Sequence, residues 1–465
     1  MSFTADDADK AALLAGAIKS ARYYAPTASE IKRVRQRRNQ VLALMVANGS
    51  LPPDFAKKAK QRPIQVVAKD NDGIPQSSAI VENVLEELKT SHTDLSVKDL
   101  LQGRIQVYST VDARVQQIVT QGLEHGLLLY EKRHLGAKGL IQGSVVVLRN
   151  RDASILAEAG GRQIYQNRSA SYSDLNRVTQ SLRQPGSAMK PIVYLAAFRA
   201  GMLNLDSVVP DEPISVPNGA DRDVKWISNY DRQFKGMIPA RMALAESRNA
   251  VAIWIASEIG ISSVLRTARS VGIKTPLQPY ATTALGASEV NLMELANAYR
   301  TMASGILTQP YVIRRIARDS GEMAESEHAS SSVHVEGFAL LLIQEGMRGV
   351  VRLPTGTAHA LDSSGFAIAV MGKTGTTNEF RDALFVGSTY GPTGITIAVR
   401  IGFDDNRSLG AGETGGRVAL PVFKEIALRV YAEKLVGPSP QFPTEMEQSI
   451  NDYLGGRVVK TIAQR

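Results

Sequence analysis

The order of the periodic segments along the chain is the feature that most limits its fold. The stretch "GSVVVLRNRDASILAEAGG" predicts a β-hairpin, because two β-rich runs flank the turn at Arg149–Asp152. Helical patterns dominate 187–305, and three strand-like segments with a final helix follow within 366–435. A hairpin, then helices, then strands and a helix predict an α+β fold, in which helices pack on an antiparallel sheet.

The rest of the chain has a weaker pattern. Residues 1–60 are predicted to be helical, and 61–103 are polar and irregular, which indicates a linker or a small β insert. The segment "RIQVYSTVD" alternates like a strand, and "ARVQQIVTQGLEHGLLLY" follows it as an amphipathic helix. We therefore expect a main domain over 104–435 and a C-terminal tail over 436–465.

Composition excludes several classes of chemistry. The 465 residues include no cysteine, so disulfides, thiolate metal sites and a cysteine nucleophile are excluded. The six histidines are scattered, and we expect neither a metal nor a cofactor. The net charge of +9 favours anionic surroundings. The basic run "SEIKRVRQRR" is a solvated helix face or an anion-facing surface, and it lacks a nucleic-acid-binding motif, so we expect no nucleic-acid partner.

A serine lies three residues before a lysine in "RQPGSAMKPIVYLAAF". We expect a helix to begin near Ser187, with Pro191 tolerated because first-turn amides have no intrahelical partner. Ser187 and Lys190 would then share one helical face. A desolvated lysine near other cations has a lowered pKa and can act as the base for a serine nucleophile. The pattern alone is weak, because Ser29 and Lys32 match it without any supporting context.

Two further motifs follow in the chain. Ser247 and Asn249, in "LAESRNAVAIWIA", lie at a predicted break between helices, where they either face a cleft or cap the second helix. Lys373–Thr376 reads Lys-Thr-Gly-Thr at the end of a predicted strand, and Lys-Thr-Gly occurs nowhere else in the chain. It is either a surface turn or a substrate-binding strand edge, where Gly375 leaves room for a substrate along the strand.

The motifs S-x-x-K, S-x-N and K-T-G in this order are the signature of penicillin-binding proteins and serine β-lactamases. The stretches "WISNYDRQFKGMIPARMALAESRNAVA", "TTALGASEVNLMELANAYRTMASG" and "GKTGTTNEFRDALFVG" resemble the transpeptidase domain of class A penicillin-binding proteins, over roughly 104–435. The resemblance implies the serine β-lactamase/transpeptidase-like fold. Leu384 and Met189 depart from the family pattern, where aromatic residues are usual, and we expect them to alter packing more than chemistry.

The resemblance also implies a role for each motif residue. Ser187 would attack the D-Ala-D-Ala carbonyl of a peptidoglycan stem peptide, and Lys190 would take its proton. Ser247 would relay a proton to the leaving D-alanine, while Asn249 holds Lys190 and the substrate amide. The acyl-enzyme would then pass to an amine of a second stem peptide, giving a cross-link, or to water, as in a carboxypeptidase.

The K-T-G strand would bind the substrate. The resemblance implies that Lys373 supplies a positive field and that the hydroxyls of Thr374 and Thr376, on either side of Gly375, bind the terminal carboxylate. The backbone amides of Ser187 and Thr376 would form the oxyanion hole. β-Lactams would mimic the substrate and leave a slowly hydrolysed acyl-enzyme.

The first 60 residues, from "DKAALLAGAIKSARYYAP" to "RRNQVLALMVANG", resemble the last part of the glycosyltransferase domain of the same bifunctional enzymes. The family's catalytic glutamates and membrane anchor lie upstream of that part, so we expect no glycosyltransferase activity and no anchor in this chain. The family implies a location at the outer, periplasmic face of the cytoplasmic membrane. The resemblance also implies other wall-synthesis proteins as partners and a peripheral contact with the membrane.

Other functions share the first chemical step. A class A β-lactamase needs an acid, usually in an E-x-x-L-N loop, and no Leu-Asn pair follows Asn249. A β-lactam sensor or wall-synthesis scaffold would be acylated without turnover, and an inactive fragment would not be acylated at all. We expect acylation, because 104–435 has the pattern of a whole folding unit.

Overall fold

A computed structural model describes residues 7–18, 24, 31–64, 78–92, 94–162, 175–217, 224–319, 321, 323–325, 333–334 and 337–457. The chain divides into two compact units, Met1–Gly73 and Ile74–Arg465. Most of the loop predicted at "KDNDGIPQSS", and the serine of the S-x-x-K pattern at Ser29, lie outside the described residues.

The first unit is helical, with α1 (Ala8–Ile18), α2 (Ile31–Ala47) and α3 (Pro53–Gln61). Its small core is formed by apolar side chains from all three helices, among them Ala12, Leu42 and Ala59. Arg38 of the basic run is buried, and its guanidinium donates to the carbonyls of Lys60 and Arg62 at the end of α3. This arginine is therefore neither a solvated face nor an anion site, because its donors satisfy carbonyls at a helix terminus.

The second unit carries the remaining elements. Its α-helices are α4 (Ser78–Ser91), α5 (Val97–Leu101), α6 (Ala113–Arg133), α7 (Lys190–Arg199), α8 (Ala240–Ala245), α9 (Asn249–Ile259), α10 (Ile261–Ser270), α11 (Leu292–Ser304), α12 (Phe338–Arg352), α13 (Gly415–Ala432) and α14 (Thr444–Leu454). Its strands are β1 (Ile105–Ser109), β2 (Gln142–Arg149), β3 (Ile155–Ala159), β4 (Val208–Asp211), β5 (Ile214–Pro217), β6 (Val224–Ile227), β7 (Gly236–Pro239), β8 (Ile306–Leu307), β9 (Ile313–Arg318), β10 (Met323–Glu325), β11 (Val333–His334), β12 (Met371–Thr376), β13 (Asp382–Ser388) and β14 (Ile395–Gly402).

The main sheet has five strands in the order β12-β13-β14-β2-β3, and every neighbouring pair is antiparallel. Every residue of β13 and β14 is buried, so helices cover both faces of the sheet. Leu384 of β13 lines a small cavity with Leu292 of α11, whereas Gly387, three residues on, approaches Phe423 of α13. Since strand residues alternate between faces, α11 and α13 lie on opposite faces. The α+β fold predicted from the sequence is confirmed.

The helix α6 packs closely on α13 because two of its residues have no side chain. A Cβ atom added at Gly126 would lie 2.1 Å from Cγ2 of Val422, and one at Gly122 would lie 2.8 Å from Cγ1 of Ile426. The carboxylate of Asp112 starts α6 by accepting the backbone N–H groups of Arg114 and Val115.

Two regions differ from the sequence-based expectation. Within 61–103, expected to be a linker or a small β insert, the structure contains the helices α4 and α5. The apolar residues of α4 do recur at helical spacing, with Leu88 fully buried, but polar neighbours on both sides hide the pattern. Within 187–305, the antiparallel ribbons β4–β7 and β5–β6 interrupt the helices. Their strands are four residues long, which is too short to show a two-residue period.

In the part of the chain that the structure describes, no helix is by itself long and apolar enough to cross a membrane. The pair α9 and α10 passes that test only together, and it is bent by 96°.

Candidate active site

Ser187 lies in a short 3-10 turn, Gly186–Met189, that leads directly into α7. The helix itself begins at Lys190, slightly later than expected, but the serine and the lysine remain about one turn apart. Every residue of α7 before Arg199 is buried, so the helix is held at the centre of the unit. A buried helix beneath a partly exposed Ser187 gives the hydroxyl a rigid support.

The Lys190 amine is fully buried beneath the cleft. It donates to the backbone carbonyl and, at 3.1 Å, to the hydroxyl of Ser247, and at 2.7 Å to Oδ1 of Asn249. Burial holds the Lys190 pKa well below its usual value, and the nearby charges of Lys373 and Arg248 lower it further, against an opposing effect of Asp211. The lysine can therefore carry a neutral amine, which is the form that accepts a proton.

Ser247 and Asn249 lie at the break between α8 and α9, as predicted. They do not cap α9, because Arg248 occupies the cap position and makes no side-chain capping bond. The structure thus favours the cleft-facing alternative, and both side chains reach Lys190. Ser247 has φ of +62°, a left-handed conformation that costs a non-glycine residue about 1–3 kcal/mol.

A buried polar network holds this turn, and sequence reasoning did not find it. The Arg248 guanidinium donates at 2.7 Å to the carboxylate of Asp211, which is fully buried, and at 2.7 Å to that of Asp231. Oδ1 of Asn229 accepts the Asn249 backbone N–H at 2.7 Å, and its amide donates to Asp211 at 2.7 Å. The only sequence feature that pointed to this network was that Asn229 and Asp231 lie in a stretch that resembles the family.

The K-T-G motif lies on β12, which is an edge strand of the main sheet. Lys373 is fully buried, and burial lowers its pKa to about 7. Its amine donates to the Thr374 carbonyl at 3.2 Å. The Thr374 hydroxyl donates to the Thr357 hydroxyl at 2.8 Å, and Oγ1 of Thr376 accepts the Gly415 N–H at 3.1 Å. Lysine and threonine side chains thus alternate along the strand, as a two-residue period requires.

The structure gives a reason for glycine at position 375 that differs from the one expected. A Cβ atom there would lie 2.6 Å from the Pro185 carbonyl oxygen, so the glycine lets β12 approach the turn that carries Ser187. Gly186 has the reciprocal role: its φ is +53°, and a Cβ atom there would lie 2.6 Å from the Thr376 carbonyl oxygen. Close contact between turn and strand brings the serine and the threonines to one cleft.

One cavity of about 430 Å³ collects most of the predicted residues, namely Ser187, Ser247, Asn249, Thr374 and Thr376. Lys190 lies beneath them and Lys373 is buried in the adjoining strand. Among the described residues, the Ser187 hydroxyl makes no hydrogen bond to Lys190, whose amine contacts the S-x-N turn instead. The site combines a serine, a buried amine of lowered pKa and several hydroxyl donors. These are the groups that acyl transfer through a covalent intermediate requires.

Comparison with known proteins identifies the class. The family model of the penicillin binding protein transpeptidase domain matches residues 143–428, so the chain belongs to that family. It is a homologue of class A penicillin-binding proteins over most of its length. It is 29% identical to penicillin-binding protein 1A of Aquifex aeolicus over 91% of this chain and 66% of that protein. It is also 29% identical to penicillin-binding protein 1B of Vibrio cholerae over 93% of this chain and 53% of the relative.

Solved structures share the fold. Penicillin-binding protein 1A from Haemophilus influenzae has a TM-score of 0.74 at 22% identity, covering 94% of this chain and 81% of that chain. PonA1 from Mycobacterium tuberculosis in complex with penicillin V has a TM-score of 0.62 at 20% identity, covering 79% and 95%. The chain spans between a third and two thirds of the length of these curated relatives, and it covers 35% of penicillin-binding protein 1A of Neisseria lactamica.

Proposed function

We propose that the chain is a serine D,D-transpeptidase that cross-links peptidoglycan stem peptides through an acyl-enzyme on Ser187. The observation that carries this proposal is the fully buried Lys190 amine, which contacts Ser247 and Asn249 below the cleft that Ser187 lines. A lysine in this setting can act as a base, and the family supports peptidoglycan as the substrate class.

In the first half-reaction, Oγ of Ser187 attacks the carbonyl carbon of the D-Ala-D-Ala bond and its proton passes to Lys190. The C–N bond then breaks, and the proton reaches the nitrogen of the leaving D-alanine through the Ser247 hydroxyl. The backbone N–H groups of Ser187 and Thr376 stabilise the oxyanion, and a donor of this kind contributes about 3–4 kcal/mol to transition-state stabilisation.

The terminal carboxylate of the donor peptide binds at the K-T-G strand. The hydroxyls of Thr374 and Thr376 donate to it, and Lys373 supplies positive charge when it is protonated. In the second half-reaction an amine of another stem peptide attacks the acyl carbon, the C–Oγ bond breaks, and Ser187 recovers its proton. Water in place of the amine gives a carboxypeptidase, and a β-lactam in place of the donor gives a stable acyl-enzyme.

We further propose that the protein works at the outer face of the cytoplasmic membrane, where other wall-synthesis proteins are available as partners. The net charge of +9 supports contact with anionic lipid or glycan.

The test is labelling of the purified protein with a fluorescent penicillin, followed over hours by gel and mass spectrometry. We expect a stable adduct on Ser187 in the wild type and at least about a thousandfold slower labelling in Ser187→Ala and Lys190→Ala. Ser449→Ala is a matched control, because Ser449 belongs to a second S-x-N sequence on α14 and its hydroxyl contacts Glu345 at 2.7 Å.

Each outcome has a distinct meaning. A stable Ser187 adduct, together with amide formation from a D-Ala-D-Ala peptide and an added amine, supports the transpeptidase. An adduct without any turnover of the peptide indicates a sensor or scaffold, and rapid destruction of penicillin indicates a β-lactamase. Folded wild-type protein without an adduct would refute the proposed function.

A further inference from the structure

Two cavities adjoin the Ser187 turn, and Asn249 and Thr376 line both of them. The hydroxyl cavity, of about 430 Å³, is lined by Ser187, Thr357 and Thr374 among others. The tryptophan cavity, of about 460 Å³, is lined by Gly186, Lys225 and Trp226 among others. Transpeptidation brings together two peptides, and the cleft has two compartments that meet beside the nucleophile.

The chemistry assigns the leaving group to one compartment. The hydroxyls of Thr357 and Thr374, hydrogen-bonded to each other at 2.8 Å, lie in the hydroxyl cavity together with Ser187. The proposed function binds the terminal carboxylate at Thr374 and Thr376; of these two residues Thr376 lines both cavities, whereas Thr374 lines only the hydroxyl cavity. A carboxylate bound at Thr374 therefore places the last D-alanine in the hydroxyl cavity. The remainder of the donor peptide then extends from Ser187 into the tryptophan cavity.

Amide formation is the reverse of amide cleavage, so the two share one transition-state geometry. The acceptor nitrogen must reach the acyl carbon along the path by which the D-alanine nitrogen left. We propose, on the basis of the proposed function, that the hydroxyl cavity is the acceptor subsite, that it takes a primary amine on an aliphatic side chain of a second stem peptide, and that the aromatic pair Tyr230–Phe380 positions that chain.

The aromatic pair Tyr230–Phe380 lies where it can contact an acceptor side chain in the hydroxyl cavity. Tyr230 follows β6 on the S-x-N side of the cleft, Phe380 lies between β12 and β13 on the K-T-G side, and both line the hydroxyl cavity. Their rings meet edge to face, with centroids 6.2 Å apart and an interplanar angle of 85°. Aromatic rings bind both methylene groups and ammonium groups, which are the two parts of such a chain.

The cavity also contains a carboxylate. Glu246 lines it, with a side chain that is only 7% exposed and that is paired with Lys235 at 2.7 Å. Because Glu246 is paired with Lys235 and lies 4.0 Å from Arg248, it offers the acceptor a hydrogen-bond acceptor for an N–H group rather than an unbalanced negative charge.

The transfer of the acyl group to the amine needs no reactant beyond the acceptor and water, which takes up one proton. The acceptor binds as an ammonium group and gives its extra proton to water within the cavity, and its nitrogen then attacks the acyl carbon as a neutral amine. The C–N bond forms, the C–Oγ bond breaks, and the proton lost by nitrogen passes through Lys190 to Oγ of Ser187. The free enzyme is restored in the protonation state in which it began.

The experiment measures how one acyl-enzyme partitions between amine and water. The full chain is given an N-acyl-D-alanyl thioester as donor, so that the leaving group is a thiol, and Nα-acetyl-lysine amide as acceptor. We expect Tyr230→Ala to lower the ratio of amide to hydrolysis product at least about fivefold, and Tyr230→Phe to retain it, because the ring supplies the contact. Tyr230 is 69% exposed, whereas Phe380 has φ of +56°, so the tyrosine is the safer position to change.

Two controls separate the compartments. Trp226→Ala, in the tryptophan cavity, should slow acylation by the donor at least about fivefold and leave the partition ratio at the wild-type value. Tyr280→Ala, which is 64% exposed and lines neither cavity, should change neither quantity.

The result separates failure of the inference from failure of the proposed function. A wild type that is never acylated refutes both. A wild type that is acylated but gives only hydrolysis at every amine concentration refutes the acceptor subsite alone. An unchanged partition ratio in Tyr230→Ala, or a fall of equal size in Trp226→Ala, also overturns the assignment of the acceptor to the hydroxyl cavity.

Discussion

Lys190 and Lys373 are two fully buried lysines whose proposed roles require opposite protonation states. Burial lowers the pKa of both, and the charge of Lys373 lowers the pKa of Lys190 further. Lys190 must be neutral to accept the Ser187 proton, whereas Lys373 must be protonated to attract a carboxylate. The two positive charges repel each other, so the protonated form of Lys373 helps to keep Lys190 neutral.

This arrangement predicts a bell-shaped dependence of penicillin acylation on pH. The second-order rate constant should rise as Lys190 loses its proton at a pH well below the usual lysine range. It should fall as Lys373, whose pKa burial lowers to about 7, loses its proton, because a second-order rate constant reports the titration of the free enzyme. Stopped-flow acylation between pH 5 and pH 10 checks this, and a rate that keeps rising across the range would contradict the role given to Lys373.

The buried ion pair between Asp211 and Arg248 fixes the turn in which Ser247 has a left-handed backbone conformation. Asp211→Asn should lower the free energy of unfolding by about 3–5 kcal/mol, since it leaves the Arg248 charge without its buried partner. It should also slow acylation of the folded protein, because the S-x-N turn that accepts the Lys190 hydrogen bonds would no longer be held in place.

Asp231→Asn is the matched control for that variant. Asp231 pairs with the same guanidinium, but its side chain is 42% exposed, so we expect a loss below about 1 kcal/mol. Chemical denaturation measures both variants. Equal effects on stability would show that burial of the Asp211 pair does not matter for this turn.

At the scale of elements, the helix pair α6–α13 depends on glycine. Gly126→Ala should lower the free energy of unfolding by about 1–3 kcal/mol, because the new methyl group would overlap Val422. This loss runs against helix propensity, which favours alanine over glycine by about 1 kcal/mol. The second change Val422→Ala should recover part of the loss, as a positive coupling in a double-mutant cycle.

Gly136→Ala controls for the loss of glycine itself, because a Cβ atom there would meet no other atom within 4 Å. We expect its free energy of unfolding to stay within about 0.5 kcal/mol of the wild type. A Gly126→Ala variant as stable as this control would show that the two helices separate without cost.

The elements also differ in how far the sequence predicted them. The hairpin β2–β3 and the strands β12–β14 were predicted as β-rich runs bounded by turns, and the helix α6 was predicted from its helical spacing of apolar residues. The ribbons β4–β7 and β5–β6 were missed, although they carry Asp211 at the end of one strand and Trp226 within another. A strand of four residues contains two alternations at most, and only its partner defines it.

At the scale of the whole molecule, the second unit brings together its candidate active site from distant parts of the chain. The Ser187 turn, the S-x-N turn near 247 and the strand of 371–376 meet because β12 lies at the edge of the sheet and the buried α7 begins beside it. The two aromatic rings of the hydroxyl cavity come from loops 150 residues apart in the sequence. The compartments beside Ser187 therefore exist only after the sheet and the helices have packed.

The sequence by itself determined the fold class and the family and predicted the residues of the candidate site, because these depend on the order of periodic segments and on motifs a few residues long. Only the tertiary structure decided that Arg248 pairs with Asp211, that Gly375 faces Pro185, and that Tyr230 meets Phe380 across a cavity. Each of these contacts joins residues far apart in the chain. No local pattern encodes such a pair, since its energy arises from burial and close packing that the folded chain alone creates.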